Sequence, residues 1–430
     1  MFNVSDQSLS IAENSAGTLF TASASDADGD SLTYSLAGTD AARFSITSSG
    51  AVSLTQAANY DLPTDGNHDN IYDLTVQVSD GKATASIAAQ ITVTNDREGV
   101  SVMRVAQLAD TGAIVSPVAQ SGNLLVVKSD GQMIQLDPET GSQTVIRNAF
   151  FPGESGRVLA AMQDRSWIFV MLAIDGEGTV VRFHHATNSR VSNPTPILAA
   201  TVDNAATGSL IYSGGYFTAA LGDPDGNRAQ DGTSGFGKLF RLNFDPYCGA
   251  SLLSACLTAD QIGDGIHEPA GGGSYASGVF LFDRGTDQQD EITFYDQNAR
   301  PLDFGWPARE GTFERVTNPP AAVNGPFLTY ARGNGFGEGA GLVGGAVYAG
   351  AITSLKDKLI FGDKSGRILA APASFMTDGT LHDGTEVEDR TEDFAPDAGS
   401  LGEPRGVLVS GTGRMYIFNK AGDLFRVEEN

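Results

Sequence analysis

Residues 275–312, YASGVFLFDRGTDQQDEITFYDQNARPLDFGWPAREGT, decide the fold. They read as a strand over 278–282, an acidic Gln-containing turn, and a second short strand over 292–295. The stretch then reaches the corner Phe304-Gly305-Trp306-Pro307, where Gly and Pro tighten the backbone and the indole brings a large apolar area to bury. Asp290 and Glu291, just before the second strand, are adjacent oxygen donors on an expected loop, of the kind Ca2+ prefers.

Outward from this stretch, strand-turn-strand units recur from residue 101 to the end, among them NLLVVKSDGQMIQLD, DKLIFGDKSGRILAAP and GVLVSGTGRMYIFNKAGDLFRVE. Their spacing of mostly about 40 to 55 residues is that of propeller blades, and the length suits six. Two smaller β-domains are the alternative, but no break in composition separates them. Residues 3–97 differ: period-2 alternation at Leu32, Tyr34 and Leu36, and at Leu74, Val76 and Val78, with turn signals every ten or so residues, predicts an immunoglobulin-like sandwich. The character changes between Asn95 and Val100. The expected architecture is therefore all-β, with a sandwich over 1–99 and a six-bladed propeller over 100–430.

The 430 residues carry a formal charge of −25, a field that repels nucleic acid and anionic membrane surfaces. Residues 1–100 hold 13 acids and 3 bases, a net of −10. Clustered acids suit Ca2+ loading, and solubility alone is the plainer reading. No run approaches membrane-spanning length, and the start, Met1 directly before a strand-like segment, reads as an excised or processed fragment. Seven residues separate Cys248 from Cys256, compatible with a disulfide in an exported protein or with two buried thiols.

Residues 3–97 resemble a bacterial cadherin repeat. Glu13 in AEN, Asp61 in ANYD and Asp96 in TNDRE match its motif acids, although Pro63 stands where a second acid belongs. The resemblance implies that these three bind Ca2+ at the junction with the next domain. It places Asp26 and Asp28 of DADGD, with Asp80, on the opposite side, toward a neighbouring repeat. DADGD also opens like an EF-hand loop, but no Glu follows at the twelfth position and no helices flank it.

Segments 221–242 (LGDPDGNRAQDGTSGFGKLFRL), 283–312 and 341–368 (GLVGGAVYAGAITSLKDKLIFGDKSGRI) resemble, in order, three motifs of the glucose/sorbosone dehydrogenase family. The resemblance implies a six-bladed propeller that oxidises sugars with pyrroloquinoline quinone (PQQ) and Ca2+, a neutral His serving as base. At the position of that His this sequence has Ala205, which takes no proton; Asp203 is the nearest titratable group and needs a raised pKa to substitute. Arg284 stands at a second His position, where it pairs with a carboxylate but is no base. Lys364 and Arg405 fall where the family puts cofactor-facing cations, and surface ion pairs are the alternative. His267, in GIHEPAGGGSY, is the candidate for a relocated base. Asp290 and Glu291 keep the metal turn, and Asp223, Asp225 and Asp231 form a second candidate or an Asx cluster that braces a turn.

The resemblances together imply an extracellular or cell-surface, calcium-binding, adhesive protein. Its propeller has lost the usual base and binds a carbohydrate or a protein, as Hedgehog-interacting protein does within that family. The rival is an active PQQ- and Ca2+-dependent aldose dehydrogenase with a rearranged base, and a structural spacer ranks third.

Overall fold

The structure is a computed structural model that describes residues 2–118, 121–148, 156–164, 167–174, 177–184, 195–201, 207–213, 216–226, 228–244, 257–319 and 324–430. Asp203, Ala205, Cys248 and Cys256 lie outside the described residues. The chain divides into two compact units, Met1–Glu98 and Gly99–Asn430. Both are built from strands, and no described helix is long and apolar enough to cross a membrane.

The first unit is a sandwich. One sheet runs Gln7–Ala12, Thr84–Thr94, Ile71–Ser79, Thr33–Ala37, and the other Thr18–Thr21, Ala51–Leu54, Phe44–Ile46. Alternation puts Tyr72, Leu74, Val76 and Val78 inward against Ile87, Ala89, Ile91 and Val93, with Phe44 and Val52 from the facing sheet. The first strand runs parallel to the last, pairing Gln7 with Ala89.

The second unit contains six sheets of four or more strands. Blade 1 is Ile114–Pro117, Leu124–Val127, Met133–Asp137, Ser142–Arg147, and blade 2 is Gly156–Asp164, Trp167–Ile174, Glu177–His184, Thr195–Thr201. Blade 3 is Gly208–Ser213, Tyr216–Leu221, Lys238–Phe244, Leu257–Asp264, and blade 4 is Glu268–Tyr275, Gly278–Arg284, Gln289–Asp296, Leu328–Arg332. Blade 5 is Leu342–Tyr348, Lys358–Asp363, Ile368–Pro372, Glu388–Asp389. Blade 6 joins Pro404–Val409, Met415–Asn419 and Asp423–Glu429 to the unit's first strand, Val100–Gln107. The first strand of each sheet packs against that of the next, around the full ring, and this is the six-bladed β-propeller.

Between blades 4 and 5 the first strands meet backbone to backbone. A Cβ on Gly344, at φ +90°, would lie 2.4 Å from the Ala270 oxygen, and one on Gly271 would lie 3.1 Å from the Gly344 Cα. Only glycine allows that approach. Successive apolar residues such as Leu124–Val127 and Val279–Phe282 are buried on both sides, because each blade is covered by its neighbours.

Candidate functional site

The decisive stretch forms the middle of blade 4, and its two strands are longer than the sequence suggests: Gly278–Arg284 and Gln289–Asp296, joined by a turn over 285–288. The acids expected on a loop are therefore on a strand. Adjacent strand residues point to opposite faces, so Asp290 and Glu291 do not converge on one ion. Asp290 accepts from Leu342 N at 2.7 Å and Gly285 N at 3.0 Å, and pairs with Arg332 at 2.6 Å. It ties blade 4 to blade 5, which corrects the expectation of a paired metal turn. Burial raises its pKa despite Arg332.

Glu291 turns the other way and stands directly opposite Asp283 on the neighbouring strand. Both are buried, and like charges at such a rung repel. Burial pushes Asp283 up to about 6, the His267 charge and two backbone N–H groups opposing it. Burial, with Asp283 next, holds Glu291 well above the ordinary carboxylate range. Gly311 N–H donates to Glu291, but its Oε2 has no hydrogen-bond partner among the described residues. A shielded, unpartnered carboxylate oxygen beside a second buried carboxylate suits a hard divalent cation, so these residues fit Ca2+.

A small cleft at this rung is lined by the acids Asp283, Glu291 and Glu310, by the cations Arg284 and Arg309, and by His267 and Trp306, among others. Glu310, from the GWPAREG segment, has a different task. Its Oε1 accepts from Asp287, Gln288 and Gln289 N–H at 2.7–3.0 Å, closing the turn, and its Oε2 pairs with Arg315. Gly285 is required in that turn, since a Cβ there would lie 1.9 Å from the Gln289 oxygen. Trp306 behaves as the rigid corner expected. Its Nε1 donates to Asp223 O at 3.0 Å, Gln230 donates to its carbonyl at 3.0 Å, and its ring lies 4.1 Å from that of His267.

His267 reaches the cleft, but its Nδ1–H donates to Arg284 O and its Nε2 faces Pro224 O at 3.3 Å. A base needs a ring nitrogen whose lone pair faces the substrate, and both of these nitrogens face carbonyl oxygens. The relocated-base expectation for His267 is not supported by this geometry.

The cofactor-facing cations share one end of the blades, where second strands finish and first strands begin. Arg284 is held by Glu268 at 2.6 and 3.0 Å and donates to Leu342 O at 3.3 Å. Burial opposes ionisation of Glu268, yet the Arg284 hydrogen bonds and charge outweigh it and lower its pKa. Lys364 has no ion-pair partner within 4.0 Å among the described residues, and burial, then Arg284, pulls its pKa down. Arg405 is exposed and donates to Thr111 O. Arg284 and Arg332 are thus already neutralised by Glu268 and Asp290, leaving Lys364 as the net charge of this described cluster. That does not fit a quinone bearing three carboxylates.

The second metal candidate dissolves into structural contacts. Asp223 is fully buried, its Oδ2 accepts from Arg228 N and Ala229 N at 2.7 and 2.8 Å, and Arg228 lies 3.5 Å from its other oxygen. Asp225 is exposed beside Arg228 at 3.6 Å, and Asp231 braces a turn through Thr233. A role missed in the sequence emerges here. Asp283 accepts from His267 N and Glu268 N, and Asp363 from Ala340 N and Gly341 N, as Asp223 does from its own loop. The recurring signal was an apolar strand ending in Asp: LGD, LFD and FGD.

In the sandwich, Glu13 accepts from Tyr60 N at 3.0 Å and Asp96 N at 2.8 Å, gathering the three cadherin-like motifs at one end. Asp61 and Glu98 carry carboxylate oxygens within 4.8 Å of each other. Asn95 has neither side-chain atom hydrogen-bonded among the described residues. At the other end Asp26 accepts from Asp28 N and Asp30 N, and Asp80 accepts from Lys82 N and Ala83 N. Lys82 joins the two turns through Asp30 at 2.7 Å.

Residues 3–94 match the family model of a bacterial Ig domain. No curated protein matches the chain. Among solved structures, the soluble aldose sugar dehydrogenase of Escherichia coli is similar, at TM-score 0.55 and 16% identity over 77% of this chain and 100% of that one. A glucose dehydrogenase gives 0.57 and 17% over the same shares. A Trichoderma reesei carbohydrate-active enzyme of family AA12 gives 0.53 and 14%, over 77% of this chain and 96% of that one. The chain thus joins an N-terminal bacterial Ig-like domain to a propeller with the sugar-dehydrogenase fold.

Proposed function

We propose that this protein is an extracellular, Ca2+-binding recognition protein whose propeller presents its blade-end loops to a carbohydrate or protein rather than oxidising a sugar. The observation that carries the reading is the pairing of the groups best placed for quinone chemistry. Arg284 is satisfied by Glu268, Arg332 by Asp290, and both His267 nitrogens face carbonyls. Ala205 at the position of the usual base points the same way. Sugar chemistry belongs to the structural neighbours, and at 14–17% identity the likeness carries the fold alone.

Calcium enters at two places in this reading: the gathered acids Glu13, Asp61 and Asp96 of the sandwich, and blade 4 of the propeller. Asp26, Asp28 and Asp80 supply the acidic end that would meet a neighbouring repeat in an adhesive chain. The test is to incubate Ca2+-loaded protein with PQQ, a panel of aldoses and a reducible dye, in parallel with a glycan-binding screen run with and without chelator. The expected result is no sugar-dependent dye reduction, with glycan or protein binding that chelator abolishes. Sugar-dependent reduction would overturn the reading in favour of a dehydrogenase.

A further inference from the structure

We propose that the connection between the third and fourth strands of blade 5 is a protonation-dependent latch, in which the imidazolium of His382 holds the blade-end loop 333–341 in place and the neutral ring loosens it. For its purpose the latch rests on the recognition reading above, since 333–341 is one of the loops presented at that end. The coupling itself is tested without any ligand, so the two fail separately.

The latch is built by strand addition. Leu328–Arg332, the outer strand of blade 4, carries two short parallel segments: His382–Asp383 on Leu328 and Thr329, and Glu338–Gly339 on Ala331 and Arg332. His382 N–H donates to Phe327 O at 2.8 Å. The two segments meet at glycines. A Cβ on Gly384 would lie 1.9 Å from the Gly337 oxygen, and one on Gly337, at φ +73°, would lie 2.6 Å from Thr385 N. Backbones packed this closely move together. The loop then reaches the cations of the candidate site: Arg332 donates to Ala340 O, and Asp363 accepts from Ala340 N and Gly341 N at 2.9 and 3.0 Å.

The pin is a ring with a carboxylate on each nitrogen. Nδ1 faces Glu386 at 2.8 Å, Nε2 faces Asp378 at 3.0 Å, and the ring stacks on Phe375 with centroids 3.5 Å apart. Only the imidazolium has an N–H for both acids; the neutral ring turns a lone pair toward one of them. The other charged or titratable groups around it are occupied. Asp383 accepts from Thr385, Glu338 Oε2 accepts from Gly335 N, and Arg367 donates to Glu338 O and the Tyr330 hydroxyl, a phenol that burial pushes further up. Leu328 and Thr329 bring no charge. Burial opposes the charge on His382, but Glu386 and Asp378 prevail and raise its pKa. A His raised on folding gives its full contribution below the unfolded value and loses it as pH rises through the folded one, so the latch loosens on the alkaline side.

The experiment is amide hydrogen exchange, read by mass spectrometry on the full chain across a pH series from about 6 to 8 and corrected for the intrinsic exchange rate. In the wild type, protection of 377–386 and of 333–341 should fall together by up to about fivefold toward the alkaline end, the size expected of a tie to half-exposed carboxylates. Leu124–Val127 in blade 1 should not change. His382→Gln, which has no ring to protonate, should remove the pH dependence in both segments. Glu386→Gln should move the midpoint to lower pH, since it takes away one of the two charges that favour the imidazolium. Circular dichroism checks that each variant is folded, and the wild-type series decides the matter where one is not. Protection that does not vary with pH in the wild type overturns the proposal. So does a pH dependence that survives in folded His382→Gln, or a loosening of 377–386 that leaves 333–341 unchanged.

Discussion

Two acidic regions of the propeller look alike in sequence and differ in what their carboxylates are doing. The blade 3 loop, GDPDGNRAQD, has three Asp residues whose contacts run to backbone N–H groups, a hydroxyl or Arg228; Asp223 Oδ1 also lacks a hydrogen bond among the described residues, but there the Arg228 guanidinium lies 3.5 Å away. The blade 4 rung has two facing acids and an oxygen with no partner among the described residues. Acid density therefore does not mark a cation site. An unspent, desolvated oxygen beside a like charge does, because only a cation or a proton removes the cost.

The largest expected effect comes from breaking the spent side. Asp223→Ala strands the two N–H groups of Arg228 and Ala229 and removes one of the carboxylates beside the Arg228 guanidinium, and should cost about 3 kcal/mol. Urea denaturation checks this, and the loss should be the same with Ca2+ or chelator. A loss that depended on Ca2+ would erase the contrast between the regions. On the unspent side, Ca2+ at 100 times its dissociation constant should stabilise the wild type by about 2.7 kcal/mol per site. Thermal unfolding should show this increment shrinking in Glu291→Gln and unchanged in Asp225→Asn.

A smaller effect tests the neutralised cations. Glu268→Gln leaves Arg284 uncompensated near Lys364, and affinity for PQQ should rise by about tenfold, or ~1.4 kcal/mol, in a fluorescence titration. Unchanged affinity would mean that the Glu268–Arg284 pair does not gate anion binding. The smallest effect concerns His382, which pairs with Glu386 at 2.8 Å and Asp378 at 3.0 Å and stacks on Phe375. Burial opposes its charge, but the two carboxylates prevail and raise its pKa above 6.5. A His raised on folding contributes fully below about pH 6.5 and loses that contribution as pH rises through the folded value. With half-exposed partners the tie should be worth under ~1 kcal/mol. His382→Gln should therefore lower the melting temperature more at pH 6 than at pH 8; an equal drop would assign His382 to packing alone.

Much of the fold was legible because both periodicities repeat: alternation in the sandwich and strand-turn-strand units in the propeller. The Trp306 corner was legible too, since Gly and Pro around an indole leave little freedom. The site was less so. Asp290-Glu291 read as a loop pair because the acids and glutamines of 285–291 look solvated, whereas the strand reaches Gln289 and sends neighbours to opposite faces. The Asp283–Glu291 rung was invisible, since the two acids lie across a turn and only register brings them together. His267 looked available because sequence does not show which carbonyls a ring will face. The Asp residues at the ends of second strands read as a metal candidate (Asp223) or as ordinary turn acids (Asp283, Asp363), because sequence does not show the pair of N–H groups that each accepts from.

The most direct measurement is anomalous difference density from crystals of the full chain grown in Ca2+. The account predicts a propeller peak in contact with Asp283 and Glu291, and none on the Asp223–Asp225–Asp231 loop or on Asp290. A peak on that loop, or one liganded by Asp290, would contradict it.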